Sequence, residues 1–189
     1  MAICFVTTNR GKYEEASKLL RSFGIEVEWV NQECVEIQSD SLEEIAKQSA
    51  QEAAQKLRRP VFVEDAGLFV EALRGFPGPY SSYVYKTIGV LGVLKLMEGV
   101  ENREAYFESV IAFCDLVRGE LEAFSGRVYG RISLEPRGSH GFGYDPIFIP
   151  SEGNGRTFAE MSTEEKNTLS HRARALRAFA SWLRNRRLV

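Results

Sequence analysis

An α/β fold with a mixed central sheet is predicted by three features of the chain. Short apolar runs alternate with amphipathic stretches through the first 63 residues, two long β-rich runs flank a turn between 104 and 132, and one helical stripe closes the sequence.

The elements follow in order. Residues 2–8 form an apolar strand, and 11–23 follow as a helix with Ala16, Leu19, Leu20 and Phe23 at helical spacing. Residues 25–30 are a second strand. Ser41 and Glu44 make the Ser-x-x-Glu signature of a capped helix, which Leu42, Ile45, Ala46, Ser49, Ala50, Ala53 and Leu57 carry onward. Val61-Phe62-Val63 is a buried strand that ends in Glu64-Asp65, with a turn at Ala66-Gly67. The Gly- and Pro-rich stretch 75–82 is a loop. Residues 83–97 are helical, weakened by Gly89 and Gly92. Residues 104–116 and 120–132 pair across Arg118-Gly119 as an antiparallel hairpin long enough to bend. A Gly-rich loop over 133–144 leads through Asp145-Pro146 into strand 147–149. From Ser162 the chain is helical, with Leu169, Ala173, Leu176, Phe179, Ala180 and Leu183 on one stripe and a break near Ser170.

The 189 residues, 44% hydrophobic and 26% charged, suit one domain over 1–189. With 24 Lys and Arg against 26 Asp and Glu, the net charge of −2 gives no field to hold nucleic acid or an anionic membrane, and neither is expected as a partner. Any anion must be bound locally. The first apolar run has no basic leader and turns polar by Thr7, so it reads as a strand rather than a signal peptide; no stretch reaches membrane-spanning length. Cys4, Cys34 and Cys114 have neither zinc spacing nor an even disulfide framework, which makes a reducing cytoplasm the expected setting.

Thr7-Thr8-Asn9-Arg10-Gly11-Lys12 joins the first strand to the first helix, where unpaired N–H groups and the helix dipole attract an anion. Thr7, Asn9 and Lys12 add donors, and Gly11 admits a phosphate closely. The segment lacks Walker spacing and has a second reading, an ordinary Asn cap beside a solvated lysine. Adjacent strand residues point to opposite faces, so one of Glu64 and Asp65 faces a cleft while the other caps or pairs. Asp65, nearer the expected turn, is the candidate. Glu36 is a second candidate carboxylate, or else a solvated acid. Two carboxylates with phosphate oxygens and water suit magnesium. Phe142-Gly143-Tyr144-Asp145 sets rings beside an acid, as needed to stack a flat base and accept its N–H; core packing is the other reading for Phe142. Lys166 and Ser170-His171-Arg172 place donors near the last helix, and no ligand spacing makes His171 a zinc site.

Taken in order, TTNRGK, VFVEDAGLFVEALRGFPGPYSS, HGFGYDPIFIP and TFAEMSTEEKNTLSHRARAL resemble the inosine triphosphate pyrophosphatase, or Ham1-like, family over nearly the whole chain. The resemblance implies an elongated two-lobed α/β molecule with a deep cleft between lobes, usually a homodimer. It implies magnesium-dependent hydrolysis of ITP, dITP and XTP to the monophosphate and pyrophosphate. It implies phosphate binding by Thr7, Thr8, Asn9 and Lys12, metal and catalytic roles for Glu36 and Asp65 with Ala66 beside them, and base stacking on Phe142. Gly143, Tyr144, Asp145, Lys166, His171 and Arg172 fall at its base-recognition and closing positions. Many members carry a further lysine where Ser49 stands here; either Lys47 or another base fills that role, or neutralisation of the triphosphate rests on Lys12 and the metal, and the role stays unassigned. The alternatives are a Maf-like pyrophosphatase of pyrimidine or modified triphosphates, which would lack the Ser-His-Arg ending, and a non-catalytic nucleotide- or RNA-binding module.

Overall fold

A computed structural model describes residues 2–35 and 37–186. Strand β1 (Ile3–Val6) is buried throughout and pairs in parallel with β2 (Val27–Val30), Ile3 opposite Val27. Between them runs α1 (Arg10–Ser22), whose N-terminus is capped by Asn9: its side chain accepts the Lys12 N–H at 3.1 Å. Helix α2 (Leu42–Leu57) starts at Ser41, whose hydroxyl accepts the Glu44 N–H; the Glu44 carboxylate takes the Ser39 hydroxyl instead of closing the box.

Strand β3 (Val61–Val70) pairs in parallel with β1 and does not end at Glu64-Asp65. The expected turn at Ala66-Gly67 is absent. Gly67 serves a different purpose: the carbonyl of Gly78 lies where a Cβ would project, so glycine lets β4 (Pro77–Gly78) close onto β3, Leu68 opposite Gly78. The stretch expected as loop therefore contains a short edge strand. The helix expected over 83–97 is two, α3 (Ser81–Thr87) and α4 (Gly89–Leu96), and Gly89 takes φ +62° at the junction.

The predicted hairpin is β5 (Glu104–Asp115) and β6 (Glu120–Ile132), neighbours in the sheet, with Gly119 at φ +66° in the turn. Strand β7 (Phe148–Pro150) pairs antiparallel with β6. The last helical stretch is divided at Ser170, whose ψ of 158° is extended, into α5 (Thr163–Leu169) and α6 (His171–Asn185). Ser162 and Glu165 cap α5 reciprocally.

The strands form one mixed sheet in the order β2-β1-β3-β5-β6-β7, with β4 on β3. The chain divides into two compact units, one of Met1–Asp65, Ser109–Gly126 and Arg172–Val189 and the other of Ala66–Glu108 and Arg127–His171. Each has its own core. The first packs Phe5, Leu20, Phe62, Ile111 and Phe179; the second packs Leu68, Phe107, Ile132, Phe148 and Phe158. Among the described residues no helix is long and apolar enough to cross a membrane.

Candidate active site

In the first unit, β1 delivers Thr7 to the start of α1. The Thr7 hydroxyl accepts the Asn9 N–H at 3.1 Å, and Thr8 and Asn9 are exposed, so the helix N-terminus opens to solvent. Lys12 reaches from the first turn to β3. Its Nζ lies 2.9 Å from Glu64 Oε2 and donates to the Glu64 carbonyl at 3.1 Å, which brings it beside the peptide that leads into Asp65. Asp65 and Ala66 are half-buried.

Glu64 sits at the centre of a buried ionic network. Its side chain is only 1% exposed and is surrounded by Lys12, by Arg172 Nε at 3.2 Å from Oε1, and by the Ser109 hydroxyl, which donates to Oε1 at 2.5 Å. Burial pushes this carboxyl up, but the Arg172 and Lys12 charges, with the Ser109 and Lys12 hydrogen bonds, outweigh it and hold the group at about 2. Arg172 in turn donates through Nη1 to Glu15 Oε2 at 2.5 Å. Lys12, Glu64, Arg172 and Glu15 therefore form a chain of alternating charge that begins and ends on α1. The sequence places Arg172 among the base-recognition residues; the structure sets it with the carboxylate that holds Lys12.

In the second unit, Asp145 and Lys166 form a buried ion pair, Nζ to Oδ2 at 2.6 Å, with side chains 4% and 3% exposed. The same Oδ2 accepts the Phe142 N–H at 2.9 Å, and Lys166 Nζ lies 4.8 Å from the centre of the half-buried Phe142 ring. Gly141, at φ +73°, is required here, because a Cβ would overlap Asp145 Oδ2. Gly143 is likewise at positive φ. His171 is buried and stacks on Phe107 at 4.6 Å. Tyr144, expected to help stack a base, is instead a core residue: it packs in the second hydrophobic cluster, meets Tyr85 edge-on, and donates its hydroxyl to the Ser81 carbonyl at 2.9 Å. Burial pushes its phenol well up, as suits a group that stays neutral.

Magnesium draws most of its octahedral shell from water and substrate oxygens and needs only one or two carboxylates. Asp65 is half-buried, a single carboxylate of the kind that demand calls for, and Glu64 is engaged by two cations and a hydroxyl. Glu36, the other expected ligand, lies outside the described residues. Lys47 pairs with Glu43 along α2, and Ser49 is buried in the same helix.

The sequence matches the Ham1 family over residues 3–182. The chain belongs to the Ham1 family. It is 59% identical to the dITP/XTP pyrophosphatase of Thermococcus kodakarensis, over 97% of this chain and 98% of that one. It is 56% identical to the dITP/XTP pyrophosphatase of Methanopyrus kandleri, covering 98% and 97%. The solved Ham1 protein of Staphylococcus aureus superposes with a TM-score of 0.82 at 29% identity, covering 97% of this chain and 99% of that one. The Ham1 match extends through the Ser170-His171-Arg172 ending, and it favours neither the Maf-like nor the non-catalytic alternative. Two polar residues of the Ham1 chain escape a reading by motif. Ser109 lies in an otherwise apolar run. Glu15 carried a signal, because it falls on the helical stripe between Lys12 and Leu19, where a charge needs a buried partner.

Proposed function

We propose that this chain hydrolyses ITP, dITP and XTP to the nucleoside monophosphate and pyrophosphate, with magnesium as cofactor. The names of the relatives, dITP/XTP pyrophosphatase, support the substrate class. The observation that carries the reading is Lys12 Nζ, which lies against the Glu64 carboxylate and donates to its carbonyl, so that a cation at the capped helix start meets β3 one residue before Asp65.

The open N-terminus of α1, Thr7, Asn9 and Lys12 bind the phosphates. Asp65 orients a water for in-line attack on the α-phosphorus and takes its proton. Asp65 and Glu36 would hold magnesium, which would supply neutralisation of the triphosphate charge. Phe142 stacks on the base. A 6-keto purine presents O6 as acceptor and N1–H as donor, and adenine reverses both. Lys166 or His171 donates to O6 and Asp145 accepts, so an adenine leaves buried polar groups mispaired and is rejected.

Pyrophosphate release from ITP, XTP, dITP, GTP, ATP and dTTP, with and without magnesium, is the deciding assay. Release from the first three alone, and only with the metal, is the expected result; equal turnover of dTTP or ATP refutes the substrate assignment. In heavy-oxygen water the label enters the monophosphate, and label in pyrophosphate overturns the site of attack. The reading also carries a homodimer in the cytoplasm. The exposed Tyr83 of α3, Ile88 between the helices and Leu91 of α4, with the three free cysteines, support it. Sedimentation that finds only monomer at every concentration contradicts the dimer.

A further inference from the structure

Ser109 is the uncharged member of the buried network around Glu64. It lies on β5, is fully buried, and donates its hydroxyl to Glu64 Oε1 at 2.5 Å. The two oxygens of Glu64 have different duties. Oε1 meets Ser109 and Arg172, while Oε2 faces Lys12. An ammonium has three donors. In Lys12 the Glu64 carbonyl takes one donor at 3.1 Å and the Glu64 carboxylate lies 2.9 Å from Nζ, while the side chain keeps 18% of its exposure, so the ammonium is held from the protein side and open to a ligand arriving from solvent. Its aim depends on where the carboxylate is held, and a short hydroxyl bond from a rigid strand fixes the rotation of a carboxylate as no longer side chain can.

We propose that Ser109 and Glu64 are positioning residues for phosphate binding: Ser109 pins one oxygen of Glu64, so that the other holds the Lys12 ammonium where a substrate phosphate meets it. This rests on the reading of Lys12 as a phosphate ligand. Replacing Ser109 by alanine alters no charge, so a loss of phosphate affinity reports position rather than attraction. The effect has to pass through Lys12, and it has to be blind to the base.

The test is calorimetric binding of inorganic tripolyphosphate, with and without magnesium, to the wild type, Ser109→Ala, Lys12→Ala and the double variant. Steady-state kinetics on ITP and XTP run alongside. Ser109→Ala is expected to weaken tripolyphosphate about tenfold, in keeping with the loss of a hydrogen bond to a charged group. It should raise KM for ITP and XTP by a common factor while kcat stays within about twofold. In the Lys12→Ala background the further loss should vanish, because the two changes share one pathway. Wild-type affinity in folded Ser109→Ala, or an equal loss in both backgrounds, overturns the proposal. Should Ser109→Ala fail to fold, Ser109→Cys keeps the volume, weakens the donor and is held to the same comparison. A wild type that releases no pyrophosphate from ITP, dITP or XTP refutes the enzymatic reading itself, a result distinct from loss of the Ser109 effect.

Discussion

Glu64→Gln isolates the worth of one buried charge. The glutamine keeps the volume of the side chain and can still meet Ser109, but it takes away the counter-charge that Lys12 and Arg172 share. Two routes give the magnitude. The carboxyl falls from an ordinary 4.5 to about 2 in the folded chain, which at about 1.4 kcal/mol per tenfold change in proton affinity is about 3 kcal/mol of stability. Breaking a buried ion pair by removing one partner costs roughly 3–5 kcal/mol. The pH dependence has a definite sign. The folded group binds its proton more weakly than the unfolded one, so its contribution is complete above pH 4.5 and is lost as pH falls through about 2. Urea unfolding followed by tryptophan fluorescence is the assay, because Trp29 and Trp182, the two tryptophans of the chain, both lie in the unit that holds Glu64. The wild type should exceed the variant by about 3 kcal/mol at pH 7, and the gap should be about halved by pH 3. Other carboxylates titrate in both proteins and cancel in the difference. A gap below about 1 kcal/mol at pH 7, or one that does not change down to pH 3, refutes the account of Glu64 as an ionised counter-charge.

Asp65→Asn should lower pyrophosphate release from ITP at least about a hundredfold with the melting temperature nearly unchanged, since the half-buried side chain adds little packing; near-normal turnover removes its role. Tyr144→Phe deletes the hydroxyl bonded to Ser81 and should cost about 1 kcal/mol in denaturant unfolding, with KM for ITP unaltered. A raised KM without loss of stability would return Tyr144 to the base platform. Gly141→Ala forces a Cβ onto Asp145 Oδ2 at a positive φ, so KM for ITP should rise along with a loss of stability measurable by calorimetry. Gly67→Ala should destabilise by more than about 2 kcal/mol, because the Gly78 carbonyl occupies the space a methyl needs.

Local chemistry made much of this molecule legible. Asn9, Ser41 and Ser162 each cap the helix that their neighbours announce, and the hairpin turn falls at Arg118-Gly119 within a residue or two. Glycine is where local reading fails, because it serves turns and close approaches alike. Gly67 was read as a turn signal and lies inside a strand, where its missing side chain admits a partner strand from ten residues away. Gly89 does break a helix, since it must adopt a positive φ. At the site, strand alternation predicts different surroundings for Glu64 and Asp65, and Glu64 is nearly fully buried in an ionic network while Asp65 is half-buried. The identity of the partners was beyond such reasoning: Arg172 reaches Glu15 across 157 residues of sequence, and nothing local to either announces the other. Tyr144 failed for a related reason. An aromatic flanked by glycine has the composition of a base platform, and only the tertiary position of the Ser81 carbonyl decides that its ring turns inward.

The ionic chain from Lys12 through Glu64 and Arg172 to Glu15 behaves as an indivisible set under mutation. Any single neutral replacement leaves an odd charge in a nearly dry interior, whereas four apolar side chains of matching volume would restore balance and, on general grounds, tolerate heat better than the original. On the proposed reading of Lys12 as a phosphate ligand, durability and anion recognition pull this patch in opposite directions. A lineage selected for robustness alone would discard all four together, whereas one that keeps Lys12 for an anion keeps its counter-charges with it.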